Sequence, residues 1–160
     1  MPNESFCQLP FFQGMNPEQL DLLRPLFVET DCHAGTVLFD QDDPAIHLYL
    51  VISGEVSIRF KPDDGDAITI ARVREGGVVG WSALIGRRLY TSAAIVTQFS
   101  ELLRTRGAEL QSLCELHPET GLVLLDRFTA VIGERLRGSH PEFQAILMNG
   151  LRTGFEHVGG

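Results

Sequence analysis

Between residues 27 and 104 the apolar residues gather into six short runs of four to seven residues, separated by turn-forming residues. The runs cover 36–39, 47–53, 56–60, 67–73, 91–97 and 101–104. They are rich in Val, Ile and Thr and too short for independent helices, so they read as strands. Gly35, Gly54, Gly65, Gly76 and Gly80 fall between them or at their ends, where turns with positive φ are expected. The segment PDDGD at 62–66 is the clearest hairpin loop. This many short strands at such regular spacing predict a sandwich or a jelly-roll barrel.

Helical patterns flank the strands. Asn16 is placed to accept from the amide of Gln19, Pro17 suits a first helical turn, and Leu20, Leu22, Leu23 and Leu26 supply an apolar face. A short helix over 17–26 follows, cut short or bent by Pro25. Leu9, Pro10, Phe11 and Phe12 are too apolar for a solvated tail and are expected to pack back on the domain. A second helix is expected over 108–117, and Pro118 opens a third over 118–137. In that third helix Leu122, Leu124, Leu125, Phe128, Val131, Ile132 and Leu136 cover more than one stripe. The extra width predicts a homodimer through 118–137, with an aspartate at Phe128 or Ile132 leaving a folded monomer. The tail 139–160 opens with Ser139, His140, Pro141 and Glu142 and carries Phe143, Ile146, Leu147 and Leu151, the makings of one short helix. The fold expected from these patterns is mainly β with flanking helices, a sandwich or jelly-roll barrel over 1–138 followed by the tail.

A length of 160 residues with 44% hydrophobic content suits one domain with a proper core. Thirteen basic residues against twenty-one acidic ones, net −8, argue against a nucleic-acid-binding surface. The start MPNES lacks the basic region of a signal peptide and no apolar run reaches spanning length, so a cytoplasmic protein without membrane association is expected. Cys7, Cys32 and Cys114 are widely spaced and read as reduced thiols. His33, His47 and His117 are scattered singly and make no metal or haem set. Asp40, Asp42 and Asp43 read as a solvated turn. With no nucleophile beside a base, no paired carboxylates and no Walker loop, an enzyme is not expected.

Four segments carry a resemblance. AGTVLF at 34–39, LYLVISGEV at 48–56, VREGGVVG at 73–80 and SELL at 100–103 resemble, in order and spacing, the cyclic nucleotide-binding domain family. That family includes the sensor half of catabolite-activator-like regulators, and the resemblance runs from about residue 9 to 137. It implies a double-stranded β-helix (jelly-roll) barrel and a phosphate-binding cassette in 76–97. In members that bind cyclic nucleotides, a glutamate directly after the cassette glycine holds the ribose and a later arginine pairs with the phosphate. Here those positions fall on Trp81 and Tyr90. Each charge-assisted hydrogen bond contributes about 1.5–3 kcal/mol, so losing both removes roughly two to four decades of affinity. GWSAL at 80–84 resembles a variant cassette of short, stand-alone bacterial members.

Ligand-binding candidates implied by the resemblance are Gly80, Trp81, Ser82, Ala83, Arg87, Arg88, Tyr90, Thr91 and Ser92. Arg87 or Arg88 is a conceivable substitute for the missing arginine, and the amides from Ser82 to Ile85 are conceivable anion donors. Trp81 and Tyr90 either line a modified pocket for a planar ligand or fill the nucleotide's place. The winged helix of the family's transcription factors has no room in the 22 residues after Gly138, so DNA binding by this chain is not expected. The resemblance thus implies a non-enzymatic regulatory or sensor module for a small-molecule ligand or protein partner. Cyclic AMP and cyclic GMP are disfavoured and no other cofactor is called for. A closed-pocket interaction module and an ordinary cyclic-nucleotide sensor using Arg87 or Arg88 are the alternatives.

Overall fold

The computed structural model describes residues 9–136, with side chains through Ile132. The expectations for the tail 139–160 and for Cys7 lie outside the described residues. Six strands, β1 (Val28–Cys32), β2 (Val37–Phe39), β3 (His47–Phe60), β4 (Ile68–Val73), β5 (Val78–Val79) and β6 (Ala93–Arg106), are joined wholly by antiparallel pairing. Hydrogen bonding runs in the order β1-β6-β3-β4, with β2 also on β6 and β5 also on β3. The helices are α1 (Pro17–Leu23), α2 (Gly107–Leu116) and α3 (Pro118–Leu136). The mainly-β, jelly-roll expectation holds.

Two pairs of expected strands are each one strand. The runs 47–53 and 56–60 merge into β3, and 91–97 and 101–104 merge into β6; both are 14 residues long. Gly54 is therefore a kink inside a strand rather than a turn between two. Its φ is 99°, and a Cβ there would clash with Ser100 Oγ and stand 2.7 Å from the carbonyl oxygen of Phe99. The β3–β6 register slips between Val51 and Val56, so the bulge bends the ribbon without ending it. Gly65 does not take positive φ. The sequence reading missed β1 because its residues VETDC are mostly polar and exposed; its partner β6 supplies the pairing.

The Asn16 cap forms as expected. Its side chain accepts from the Gln19 amide at 2.8 Å, and Gln19 returns the bond to the Asn16 amide at 3.0 Å. Pro25 closes α1 early into a 3-10 turn at Arg24–Leu26. Phe11 and Phe12 do pack back: Phe11 meets the Phe128 ring at 4.7 Å, and Arg127 Nη1 donates to the Phe11 carbonyl at 3.1 Å.

Alternation along β3 and β6 feeds two cores. Tyr49, Val51 and Leu102 point into the barrel with Phe39, Val56, Ile58, Val79, Tyr90 and Val96. Leu48, Leu50 and Leu103 point the other way, against Leu23, Leu84, Leu110, Leu124, Phe128 and Ile132. Burial on both faces explains why β3 reads as a nearly continuous apolar run. Phe128 and Ile132 have 0% and 1% exposure in this second core, so they cannot be the subunit contact expected of them; an aspartate at either would break the monomer itself. The outward positions of α3 include Leu122, which is 69% exposed. No helix among the described residues is long and apolar enough to cross a membrane.

Candidate functional site

The cassette begins where β5 ends. Gly80, at φ 82°, turns the chain so tightly against β3 that a Cβ would lie 2.9 Å from the His47 carbonyl oxygen and 3.2 Å from Phe39 Cε2. A 3-10 turn at Trp81–Ala83 follows, then a loop that re-enters the barrel at Tyr90 and starts β6. Residues 42–45 brace this loop: Ala45 donates to the Arg88 carbonyl at 2.9 Å, Tyr90 to the Asp43 carbonyl at 2.9 Å, and Asp42 to the Tyr90 carbonyl at 3.0 Å. The Asp40–Asp43 segment is itself a turn, closed by an Asp40 amide donating to Asp43 Oδ2 at 2.9 Å.

The two residues in the places of the expected glutamate and arginine go to different cores. Trp81, 6% exposed, joins the helix-facing core with Leu84, Ile85 and Leu110. Tyr90, 4% exposed, enters the barrel and stacks on Phe39 with ring centroids 3.6 Å apart and planes within 12°. Its hydroxyl accepts from the His47 amide at 3.0 Å and donates to the His47 carbonyl. Burial holds this phenol protonated, pushed up to about 12, and prevails over the opposing effect of the His47 backbone bond.

Between these groups a cavity of about 20 Å³ remains, lined by Phe39, Ile58, Gly80, Trp81, Ser82, Tyr90, Thr91 and Ser92. That is room for about one water, against the roughly 300–1,000 Å³ of a small-molecule site. Six of the expected ligand-binding residues line it; Ala83, Arg87 and Arg88 do not. Ala83 is buried in the helix-facing core. Arg87 and Arg88 are exposed, on a loop whose backbone is held by the Arg87 amide donating to the Ser82 carbonyl and the Ala45 amide donating to the Arg88 carbonyl. Of the Ser82–Ile85 amides expected as anion donors, three are engaged within the turn: Ala83 donates to the Gly80 carbonyl, and Leu84 and Ile85 both donate to the Trp81 carbonyl. Phe39 and Ile58 were missed as lining residues, although the apolar alternation Val56, Ile58, Phe60 and the AGTVLF segment carried the signal.

A polar cluster at the Gly54 kink also escaped the sequence reading. Glu55 accepts from Thr97 Oγ1 at 2.8 Å and from Arg74 Nε at 2.9 Å, and these bonds hold its carboxyl below the usual range. His33, His47 and His117 stand apart, and among the described residues no group of three His, Cys, Asp or Glu side chains is arranged to hold a metal.

The sequence model of the cyclic nucleotide-binding domain matches residues 29–117, more than half of the chain. The chain belongs to the cyclic nucleotide-binding domain family. It is 26% identical over 137 residues to the cyclic AMP receptor protein of Thermus thermophilus, covering 86% of this chain and 62% of that one. It is 29% identical over 114 residues to the global nitrogen regulator of a Synechocystis species, covering 69% of this chain and 49% of that one. The chain thus spans about half to three fifths of the curated relatives it matches. Among solved structures, a Geobacter metallireducens protein assigned to the cyclic nucleotide-binding proteins superposes with a TM-score of 0.73 at 27% identity, covering 85% of this chain and 98% of that one. In this domain the cassette cavity has room for about one water, and the neutral Tyr90 phenol stands where the resemblance implies a phosphate-pairing arginine.

Proposed function

We propose that this chain is a non-enzymatic, cytoplasmic regulatory module that uses the cyclic nucleotide-binding fold with its pocket closed, and that acts through protein contacts. The single observation that carries this reading is Tyr90, stacked on Phe39 and hydrogen-bonded to both backbone groups of His47, leaving a cavity of about 20 Å³. The closed-pocket alternative is thereby favoured over a sensor for a different small molecule. An ordinary sensor using Arg87 or Arg88 is disfavoured, because both arginines are exposed and away from the cavity.

Calorimetry with cyclic AMP and cyclic GMP tests this directly. No binding heat is expected. Micromolar binding abolished by Arg88→Ala would overturn the closed pocket and restore the nucleotide sensor. The indole emission of Trp81 should be that of a buried ring and should stay unchanged on adding either nucleotide.

The homodimer is part of the same proposal, with its contact moved to the exposed strip of α3 around Leu122. Sedimentation should give twice the 17.7 kDa chain mass. A monomer at high concentration would remove the dimer from the proposal.

A further inference from the structure

Two open cavities of about 520 and 490 Å³ adjoin between α1 and the joint of α2 with α3, with Leu22, Leu116 and His117 lining both. Neither shares a lining residue with the cassette cavity. Leu26 and Leu113 extend their apolar floor. Along α2, Leu110, Leu113 and Leu116 form one stripe at three-residue spacing; the first two are buried, while Leu116 is 74% exposed. The stripe thus continues past the core that covers its start. A single exposed leucine is ordinary on a protein surface, but this one joins three others along two adjoining cavities.

The rim of this groove is acidic. Glu18 and Glu119 line one cavity and Glu109 the other, against a single guanidinium, that of Arg106. Each glutamate is exposed and sits in the first turn of its helix, where the helix dipole favours a carboxylate. Helix preference accounts for each one singly. The packing of the three helix starts brings all three charges around one apolar floor.

We infer that this groove docks an amphipathic helix of another protein, one that carries lysines or arginines beside its apolar stripe. The inference rests on the reading that the chain acts through protein contacts. Leucine-type anchors at i, i+3, i+4 and i+7 suit the four leucines, and the flanking cations complement the three glutamates. Most of the lining residues are exposed, so the groove cannot enclose a small molecule as a ligand pocket does. A second copy would bring a net charge of −8 to an acidic rim. The apolar set of the tail, at 143–151, belongs to a segment, 139–160, that has one arginine against two glutamates, so it lacks the cationic complement.

Amide NMR of the full chain tests the groove, with a helical leucine–lysine peptide as the probe and a leucine–glutamate peptide of the same pattern as its control. Saturable shifts confined to 16–26 and 106–120 are expected with the first, and binding at least about tenfold weaker with the second. Leu116→Ser, at a position exposed enough to leave folding intact, should weaken the leucine–lysine peptide about tenfold. Glu109→Gln should weaken it about two- to fivefold. Asp64→Asn, in the loop beyond the other end of β3, should change nothing. Equal affinity for the two peptides, shifts spread over the whole surface, or wild-type affinity in Leu116→Ser would overturn the groove. Shifts at 16–26 that grow with protein concentration alone would make a second copy the occupant, and shifts there on Phe143→Ser without peptide would make it the tail. Either result overturns the assignment to another protein. Failure of the peptide with silent nucleotide calorimetry refutes the groove and leaves the closed pocket standing, whereas nucleotide binding beside intact peptide docking refutes the closed pocket and upholds the groove.

Discussion

On the helix-facing side of β3 and β6, Leu48, Leu50 and Leu103 meet Leu110, Leu124, Phe128 and Ile132 through hydrocarbon contact, whereas the barrel side is filled partly by Phe39, Tyr49 and Tyr90. The helix-facing core is held by volume and burial, terms that act in no particular direction. The barrel core carries phenol groups, so it is held also by direction: Tyr90 must reach both backbone groups of one residue, His47. On the closed-pocket proposal, this difference is where the chain departs from a nucleotide binder. A ring that merely filled space would leave a pocket able to reopen; one tied at its hydroxyl and stacked on Phe39 closes it with defined geometry.

The sharpest way to break the comparison is in the hydrocarbon core. Phe128→Ala removes a fully buried ring and should cost about 3–5 kcal/mol in denaturant unfolding. A loss under about 1 kcal/mol would mean α3 does not pack as described.

Alkaline pH addresses the barrel side. The folded state raises Tyr90 from 10.0 to about 12, so its contribution is complete below pH 10 and is lost as pH rises toward 12. A difference of that size corresponds to about 3 kcal/mol. Phenolate absorbance should show both tyrosines of the chain titrating above the ordinary range, with Tyr90→Phe removing the later of the two. A Tyr90 that ionises near 10 would show the barrel to be open.

Tyr90→Phe also separates direction from volume. The ring and its stack on Phe39 are retained, while the bonds to the His47 amide and carbonyl are lost, at an expected cost of about 1–3 kcal/mol. The indole of Trp81, which lines the same cavity but packs in the helix-facing core, should keep its buried-ring emission. If Tyr90→Phe is neutral in stability and in amide exchange at His47, the hydroxyl is not what shuts the pocket.

The smallest effect is expected at the surface. Leu122→Asp should leave stability within about 0.5 kcal/mol of wild type when unfolding is extrapolated to the monomer. It should nevertheless halve the sedimenting mass. Retention of the dimer by this variant would move the subunit contact off the α3 strip.

Local patterns were legible wherever the signal lay within a few residues. The Asn16–Gln19 cap, the Pro25 break and the start of α3 at Pro118 depend on neighbours in the chain, and each stands where it was expected. The continuity of β3 through Gly54 was not legible, because a glycine reads alike as a turn and as a kink. What distinguishes the two is Ser100, whose hydroxyl accepts from the Glu55 amide at 3.0 Å across 45 residues. Strand β1 was hidden for a related reason: its polar composition has little β signal, and its pairing partner lies more than sixty residues away.

For the site, the resemblance to the family implied that Trp81 and Tyr90 stand where nucleotide-binding members carry a glutamate and an arginine, within an intact glycine frame. Their spacing could not say whether the two aromatics share one pocket, since the side each presents depends on the turn at Gly80 and on the register at which the chain re-enters β6. Tertiary structure sends Trp81 to the helices and Tyr90 into the barrel, and sets Arg87 and Arg88 in solvent. It also brings Tyr49 beside Arg104, fifty-five positions apart, through the β3–β6 register. Short-range pattern thus determined the mainly-β class with flanking helices, because it acts through backbone preference and hydrophobic periodicity, while the altered cassette was implied only by the resemblance to the family. The seating of Tyr90 against Phe39 and the His47 backbone was decided only in three dimensions, where long-range strand pairing fixes which polar groups find a partner.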